Sequence, residues 1–411
     1  MRGKIRPMSD YASNQENSKM VIKPKVRGFI CTNAHPTGCA ASVKEQITYV
    51  HQQGDITNKP KNVLVIGCST GYGLASRITS AFGAGAKTLG ICFEKEPTEK
   101  RTGTAGWYNT AAFHKEAENA DLYAKSINGD AFSHEIKEQT VKIIKQDLGK
   151  IDLVVYSLAS PRRTDPDTGV SYMSTLKPVG DPIVSKTFNT SKKEVHEISL
   201  ESASQEEINN TIKVMGGEDW ELWIQVLSEA GVLADNCITT SYTYIGKELT
   251  QPIYGYATIG KAKEDLDRAS AALKQDYSSI GLKAYVTSLK AVVTQSSSAI
   301  PVMPLYISLM YQVMKDDGVH EGVIEQIYGL FDQLLLADNP PLDEGKRLRM
   351  DGVETNDDIQ GKIKAIWPKV TTENFPVLGD YKGYNEDFLK LFGFGFDGVD
   401  YDAEVSPLAA W

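Results

Sequence analysis

From Lys61 onward the chain rotates between two kinds of apolar pattern. Asn62-Val-Leu-Val-Ile66, Thr88-Leu-Gly-Ile-Cys-Phe93, a run within Tyr123–Ala131 and Leu153-Val-Val-Tyr-Ser-Leu-Ala-Ser160 are short, nearly continuous apolar segments. Strands covered on both faces lose polar alternation, so these read as buried parallel strands. Between them, Leu74–Phe82 and Ser133–Leu148 carry apolar residues at helical spacing, and Trp107–Ala120 suits a helix or a loop. Further on, Glu218–Ala230 and Ile259–Asp276 read as helices, Cys237–Ile245 and Lys283–Leu289 as strands. Strand and helix in rotation predict an α/β fold, a doubly wound parallel sheet.

Other stretches break that rhythm. Residues 161–218 are rich in Asp, Pro, Thr, Lys and Gly and are expected to form a long excursion with a hairpin, including Glu194–Ile198. Leu305–Met314 and Val319–Leu336 read as apolar helices, either plain core or partly the lining of an acyl-chain channel. Ahead of the sheet, residues 21–34 predict a short strand or hairpin and Ala40–Gln53 a helix. Residues 1–19 are polar and read as a disordered extension or an expression-vector remnant, with Met20 as a natural start. Residues 20–411 are expected to form a single elaborated domain with excursions near 161–235 and 295–340.

Composition narrows the class. With 41% apolar and 24% charged residues the 411-residue chain is of ordinary globular type, and its net charge of −9 argues against nucleic acid as a main partner. No apolar run reaches membrane-spanning length. The cysteines Cys31, Cys39, Cys68, Cys92 and Cys237 contain no CxxC pair and read as reduced thiols of a cytoplasmic protein. Cys31, His35 and Cys39 lack a fourth ligand at zinc-like spacing, so no metal is expected there.

Two motifs carry chemistry. Gly67-Cys-Ser-Thr-Gly-Tyr-Gly73 joins a strand to a helix, the setting in which a glycine turn brings a helix N-terminus to a pyrophosphate. Glu94 ends the next strand, where a carboxylate accepts from ribose hydroxyls and repels a 2′-phosphate, favouring NADH over NADPH. Asp130-Ala131 and Leu158–Ser160 end the next two strands, and Arg162 and Arg163 are phosphate ligands or a solvated pair. The second motif is Gln251-Pro-Ile-Tyr-Gly-Tyr-Ala-Thr-Ile-Gly-Lys-Ala-Lys263, a phenol in a turn followed by a lysine on a helix with Thr258 as expected N-cap. A phenol can donate a proton, and a cation beside it lowers its pKa. Tyr254 and Lys263 would lie on opposite faces of one helix, so they converge only if Tyr254 precedes it. Chain spacing leaves Tyr242, Tyr244, Tyr256 and Lys261 as rivals.

The glycine turn, Phe93-Glu94, Gly106-Trp-Tyr-Asn109, Gly129-Asp-Ala131, Tyr156-Ser-Leu-Ala159, Asp165-Pro-Asp-Thr-Gly169, Val214-Met-Gly-Gly-Glu-Asp-Trp220 and Thr258-Ile-Gly-Lys-Ala-Lys263 together resemble the FabV-type trans-2-enoyl thioester reductases. The resemblance runs from about Val21 to Asp402. It implies a monomeric, cytoplasmic, short-chain-dehydrogenase-like Rossmann enzyme of fatty acid synthesis. Such an enzyme uses NADH to saturate an enoyl-CoA or enoyl-acyl-carrier-protein. Residue by residue, it implies Tyr254 as proton donor, Lys263 as the cofactor-contacting lysine and Tyr244 as a substrate contact. It implies NADH contacts at Gly67, Cys68, Ser69, Thr70, Gly71, Tyr72, Phe93, Glu94, Asp130, Ala131, Leu158, Ala159, Val292, Val293 and Thr294. Tyr256 departs from the family, several members of which have lysine in this segment, and keeps a minor role open. A carbonyl or alcohol oxidoreductase, or a non-catalytic NADH-binding regulator, are the alternative readings on the same scaffold.

Overall fold

The computed structural model describes residues 18–411; most of the expected N-terminal extension lies outside them. Seven strands form one sheet: β1 (Asn62–Ile66), β2 (Lys87–Cys92), β3 (Ala124–Asn128), β4 (Ile151–Tyr156), β5 (Leu233–Thr243), β6 (Lys283–Ser288) and β7 (Leu348–Arg349). Their spatial order is β7-β6-β5-β4-β1-β2-β3, and every pairing is parallel. The chain runs outward from β1 to β3, crosses back to lay β4 beside β1, then continues to the other edge. That reversal leaves a crevice beyond the carboxyl ends of β1 and β4, the place where doubly wound sheets take ligands.

The apolar runs make this sheet because both faces are covered. Val63, Val65, Leu153 and Val155 face one core, while Leu64, Ile66, Val154 and Tyr156 face the other. The first is closed by α1 (Pro36–Gln53), α2 (Gly71–Ile78), α3 (Ala105–Asn119) and a later helix, Val323–Leu330. The second is closed by α4 (His134–Ile143), α6 (Glu218–Glu229) and α7 (Thr258–Asp276). A third cluster forms where α8 (Met303–Asp316) packs with Ile363, Phe375, Phe388 and Tyr254. Leu305 to Met314 is buried there almost throughout, so in this structure the Met-rich helix is core rather than an open channel.

The expected N-terminal hairpin is present, Val26–Arg27 against Ile30–Cys31, and Met20–Val21 pairs with Glu404–Val405. Helix α1 starts at Pro36, earlier than its apolar spacing predicted, because His35 caps it: the ring Nδ1 accepts the Gly38 N–H at 3.2 Å. The excursion holds two hairpins, Arg162–Thr164 with Ser171–Met173 and Ile183–Asn189 with Glu194–Leu200. It also holds α5 (Gln205–Met215), which was not anticipated although Ser204 and Glu207 form a capping box at its start.

Candidate active site

The glycine turn is shaped by a close approach. Gly67 has φ 86°, and a Cβ there would stand 2.2 Å from the Ser157 carbonyl oxygen, so only glycine lets β1 turn this tightly against β4. The turn delivers the N-terminus of α2, whose first N–H groups have no helical partners, to the switch crevice. Ser69 Oγ donates to Glu94 Oε1 at 2.6 Å, and the Thr104 hydroxyl donates to Glu94 Oε2. The carboxylate therefore stands at the end of β2 and ties the turn to the neighbouring strand. Phe93 beside it is 76% exposed, an open ring face at the strand end. The Tyr72 hydroxyl donates to the Lys290 carbonyl at 2.7 Å, which links the turn to the segment after β6.

The other expected cofactor contacts fall at the same end of the sheet. Asp130 Oδ1 accepts the Phe132 N–H at 3.0 Å, and the Ala131 carbonyl accepts from Lys137 Nζ and Trp223 Nε1, both at 3.1 Å. Lys137 is itself paired with buried Asp219 at 2.8 Å, and the Tyr156 hydroxyl donates to the same carboxylate at 3.0 Å. Leu158 and Ala159 follow β4. Val292 and Val293 follow β6 with buried side chains, so they offer backbone, not side chain. Thr294 caps the short helix Gln295–Ala299, accepting the Ser297 N–H at 3.0 Å. Cys68 likewise buries its thiol.

Tyr254 lies in the turn before α7, as convergence with Lys263 requires. The helix begins at Thr258 with Ala257 as N-cap; Thr258 is not the cap, because its hydroxyl donates instead to the Thr175 carbonyl. Gly260 closes the nine-residue reach. A Cβ on Gly260 would stand 1.9 Å from the Gly255 carbonyl oxygen and 2.7 Å from that of Tyr254. The turn therefore folds flat against the first turn of α7, and Tyr254, Tyr244 and Lys263 line one cleft of ≈ 150 Å³ with Asp267 and Arg347.

Geometry also ranks the rivals. Tyr256 is 64% exposed, and Lys261 is paired with Glu264 in solvent at 2.8 Å. The Tyr242 hydroxyl is engaged with Ser76 at 2.6 Å, and the Tyr244 hydroxyl donates to Glu354 at 2.6 Å. Burial pushes the Tyr254 hydroxyl well above the usual range for a phenol, opposed only by a backbone hydrogen bond with Tyr244. The expectation that a lysine lowers it is corrected here: desolvation dominates, and the phenol keeps its proton. Lys263, half-buried at the cleft wall, is pushed down to about 8 by desolvation, with Asp267 acting against the shift, and its Nζ donates to the Tyr242 carbonyl at 3.2 Å.

Sequence reasoning missed Glu354, Lys290 and the role of Arg163. Arg163 is buried and donates to Glu218 Oε2 at 2.7 Å and to the Lys213 carbonyl at 2.8 Å, so it is a structural tie and not a phosphate ligand. Lys290 is buried, and its burial lowers it to about 8, opposed mainly by Glu354. Among the described residues, no group of His, Cys, Asp and Glu is placed to hold a metal ion, and no helix is long and apolar enough to cross a membrane.

Comparison with known proteins gives a consistent picture. Residues 21–99 match the family model described as the NAD(P)H binding domain of trans-2-enoyl-CoA reductase, and residues 101–336 match its catalytic region. Residues 342–405 match a model described as an enoyl reductase FAD binding domain. The chain is 66% identical over 392 residues to an enoyl-[acyl-carrier-protein] reductase [NADH] of Idiomarina loihiensis, covering 95% of this chain and 100% of the relative. It is 67% identical over 392 residues to the one of Pseudoalteromonas atlantica, with the same coverage. Among solved structures, Treponema denticola trans-2-enoyl-CoA reductase in complex with NAD superposes with TM-score 0.91 at 48% identity, covering 95% of this chain and 100% of that one. The Clostridium acetobutulicum enzyme in complex with NADH does so with TM-score 0.91 at 41% identity, covering 94% and 98%.

Proposed function

Because the chain belongs to the FabV-type trans-2-enoyl thioester reductase family, we propose that it reduces the trans-2 double bond of an enoyl thioester to the saturated acyl thioester with NADH, in fatty acid synthesis. The observation that carries this reading is that Tyr254 and Lys263 line one cleft at the end of the sheet where the glycine turn and Glu94 lie.

The residues present fit NADH: a helix N-terminus at a tight glycine turn, and a carboxylate at the end of β2 for ribose hydroxyls. Bound there, NADH supplies hydride for Cβ of the conjugated thioester. Negative charge then collects on the thioester oxygen. A phenol held protonated by burial is suited to donate a hydrogen bond to that oxygen and then the proton that, delivered at the oxygen or at Cα, completes the saturation; Tyr254 takes this role. Lys263, fixed on the Tyr242 carbonyl, has further N–H groups for the nicotinamide ribose. Tyr244 borders the same cleft and takes the substrate-contact role. Residues 342–405 do not fit a flavin dinucleotide. Their strand in the sheet, β7, is two residues long and the helix after it, Gly352–Thr355, only four, and Ile359, Ile363, Phe375 and Phe388 are buried in the third apolar cluster, so no step is derived through one.

We read the thioester as carried on acyl-carrier protein, in keeping with the names of the relatives at 66% and 67% identity. We read residues 20–411 as one domain acting as a monomer in the cytoplasm. Support comes from an apolar cluster that joins Ile22, Tyr254, Ile307 and Phe375, and from five free thiols. The test follows NADH absorbance with matched crotonyl-CoA and crotonyl-carrier substrates. Turnover on both, faster on the carrier, is expected; no turnover on either would overturn the reading. Faster reduction of ketones would favour a carbonyl reductase instead.

A further inference from the structure

Glu354 sits on the short helix Gly352–Thr355 that follows β7, and it is fully buried. Its Oε1 accepts the hydroxyls of Tyr244 at 2.6 Å and Tyr306 at 2.8 Å, and its Oε2 accepts the Ala291 N–H at 2.5 Å. Gln360 clamps it from behind, donating to the Glu354 carbonyl at 2.7 Å and to the Tyr306 hydroxyl at 2.9 Å. A buried carboxylate is costly, and a well-packed apolar side chain usually holds a fold as well. A carboxylate here gains something a neutral residue of the same size lacks: acceptors on both oxygens at once.

The three donors come from three different elements. Tyr244 follows β5 and meets the Tyr254 ring edge to face. Ala291 follows β6 and opens the 292–294 segment read as a cofactor wall. Tyr306 lies on α8, buried in the third apolar cluster. We propose that Glu354 is a positioning residue for the reduction: it fixes the Tyr244 phenol and the 291–294 backbone in one register, so that the substrate and cofactor walls are held as a unit. The Tyr244 proton is committed to the carboxylate, which sets the rotation of the hydroxyl; with Thr250 Oγ1 3.1 Å away on one side, one lone pair is left for a donor in the cleft. The inference rests on reading Tyr244 as the substrate tyrosine.

Steady-state kinetics of Glu354→Gln, Tyr244→Phe and the double variant test it, with crotonyl thioester and NADH each varied and melting temperatures recorded. Glu354→Gln is expected to raise KM for both by about tenfold, the usual scale for removing a group that orients a site residue. Tyr244→Phe is expected to raise the thioester KM alone. The double variant is expected to be no worse for the thioester than Tyr244→Phe, because the glutamate acts on it through the tyrosine. Tyr306→Phe removes a hydrogen bond from the same carboxylate and is expected to lower the melting temperature while both KM values stay within about twofold. A Glu354→Gln variant that melts early with both KM values unchanged has lost only structure and overturns the proposal, as do fully additive losses. An unchanged KM in Tyr244→Phe overturns the substrate reading of that tyrosine, and the coupling with it. Loss at Tyr244 without loss at Glu354 overturns the coupling alone. Should Glu354→Gln not fold, Glu354→Asp keeps the charge and shortens the reach; it is expected to show the same KM pattern. Failure of both to fold marks the residue as a fold-keeping one and overturns the proposal.

Discussion

Tyr244 and Tyr254 meet edge to face, with ring centroids 4.9 Å apart and planes at 85°. The two phenols are not interchangeable. Both border the cleft shared with Lys263, but the Tyr244 hydroxyl is bonded to the Glu354 carboxylate. The roles proposed for the two tyrosines rest on this difference in bonding, not on ring position.

Tyr254→Phe keeps the ring contact and removes only the hydroxyl proposed as proton donor. Turnover of crotonyl thioester is expected to fall by about 10²-fold or more, the scale of general acid catalysis. NADH affinity, read by fluorescence titration, is expected to stay within about twofold, since the hydroxyl is assigned to the substrate oxygen. Unchanged turnover would move the proton-donor role to another tyrosine.

Lys263 gives a pH dependence. Burial lowers its pKa to about 8, and the ammonium is the form that donates to ribose hydroxyls. The charged form dominates below that pH and is lost as pH rises through it. NADH affinity is therefore expected to be flat below about pH 8 and to weaken by up to about tenfold per unit above it. Lys263→Met is expected to bind NADH more weakly and without this dependence. A wild-type profile flat to pH 9.5 would remove the lysine from the cofactor site.

Glu94 stands where it can select the cofactor, and each of its oxygens already takes one hydroxyl, from Ser69 and from Thr104. Glu94→Ala removes the charge that repels a 2′-phosphate and frees the end of the glycine turn. The ratio of kcat/KM for NADH over NADPH is expected to fall by about tenfold, with the NADH term itself reduced. An unchanged ratio would place the discrimination elsewhere.

How much of this was legible depended on how local each cause is. The strands β1, β2 and β4 could be read because both-face burial writes itself into consecutive residues such as Val63, Leu64, Val65 and Ile66. Strand β7 could not: it is two residues long and pairs only at Thr287 and Ser288. Helix α5 carried a readable signal in Ser204 and Glu207 that the polar character of its surroundings masked. Glu354 carried none. Its burial is set by Tyr244, Ala291, Tyr306 and Gln360, all distant in the chain, and an isolated glutamate reads as solvated. The choice of Tyr254 among its rivals was hidden from chain spacing and came from the family resemblance; the structure adds that the Tyr242 and Tyr244 hydroxyls are engaged elsewhere.

Gly260→Ala tests how the tyrosine and lysine are brought together. The added methyl would meet the Gly255 carbonyl carbon at 2.6 Å as well as its oxygen at 1.9 Å, both backbone atoms with no flexible end to swing aside. Either the turn lifts off α7 or the helix start shifts, and both move Tyr254 relative to Lys263. Overpacking of this kind costs about 1–3 kcal/mol, visible as a lower melting temperature. The decisive measurement is turnover of the folded fraction, because a displaced proton donor loses rate even where the fold survives. A fall of about 10-fold or more in kcat, with the thioester KM changed less, is expected. Full turnover per folded molecule would mean that the reach between Tyr254 and Lys263 is held by something other than the close contact at Gly260.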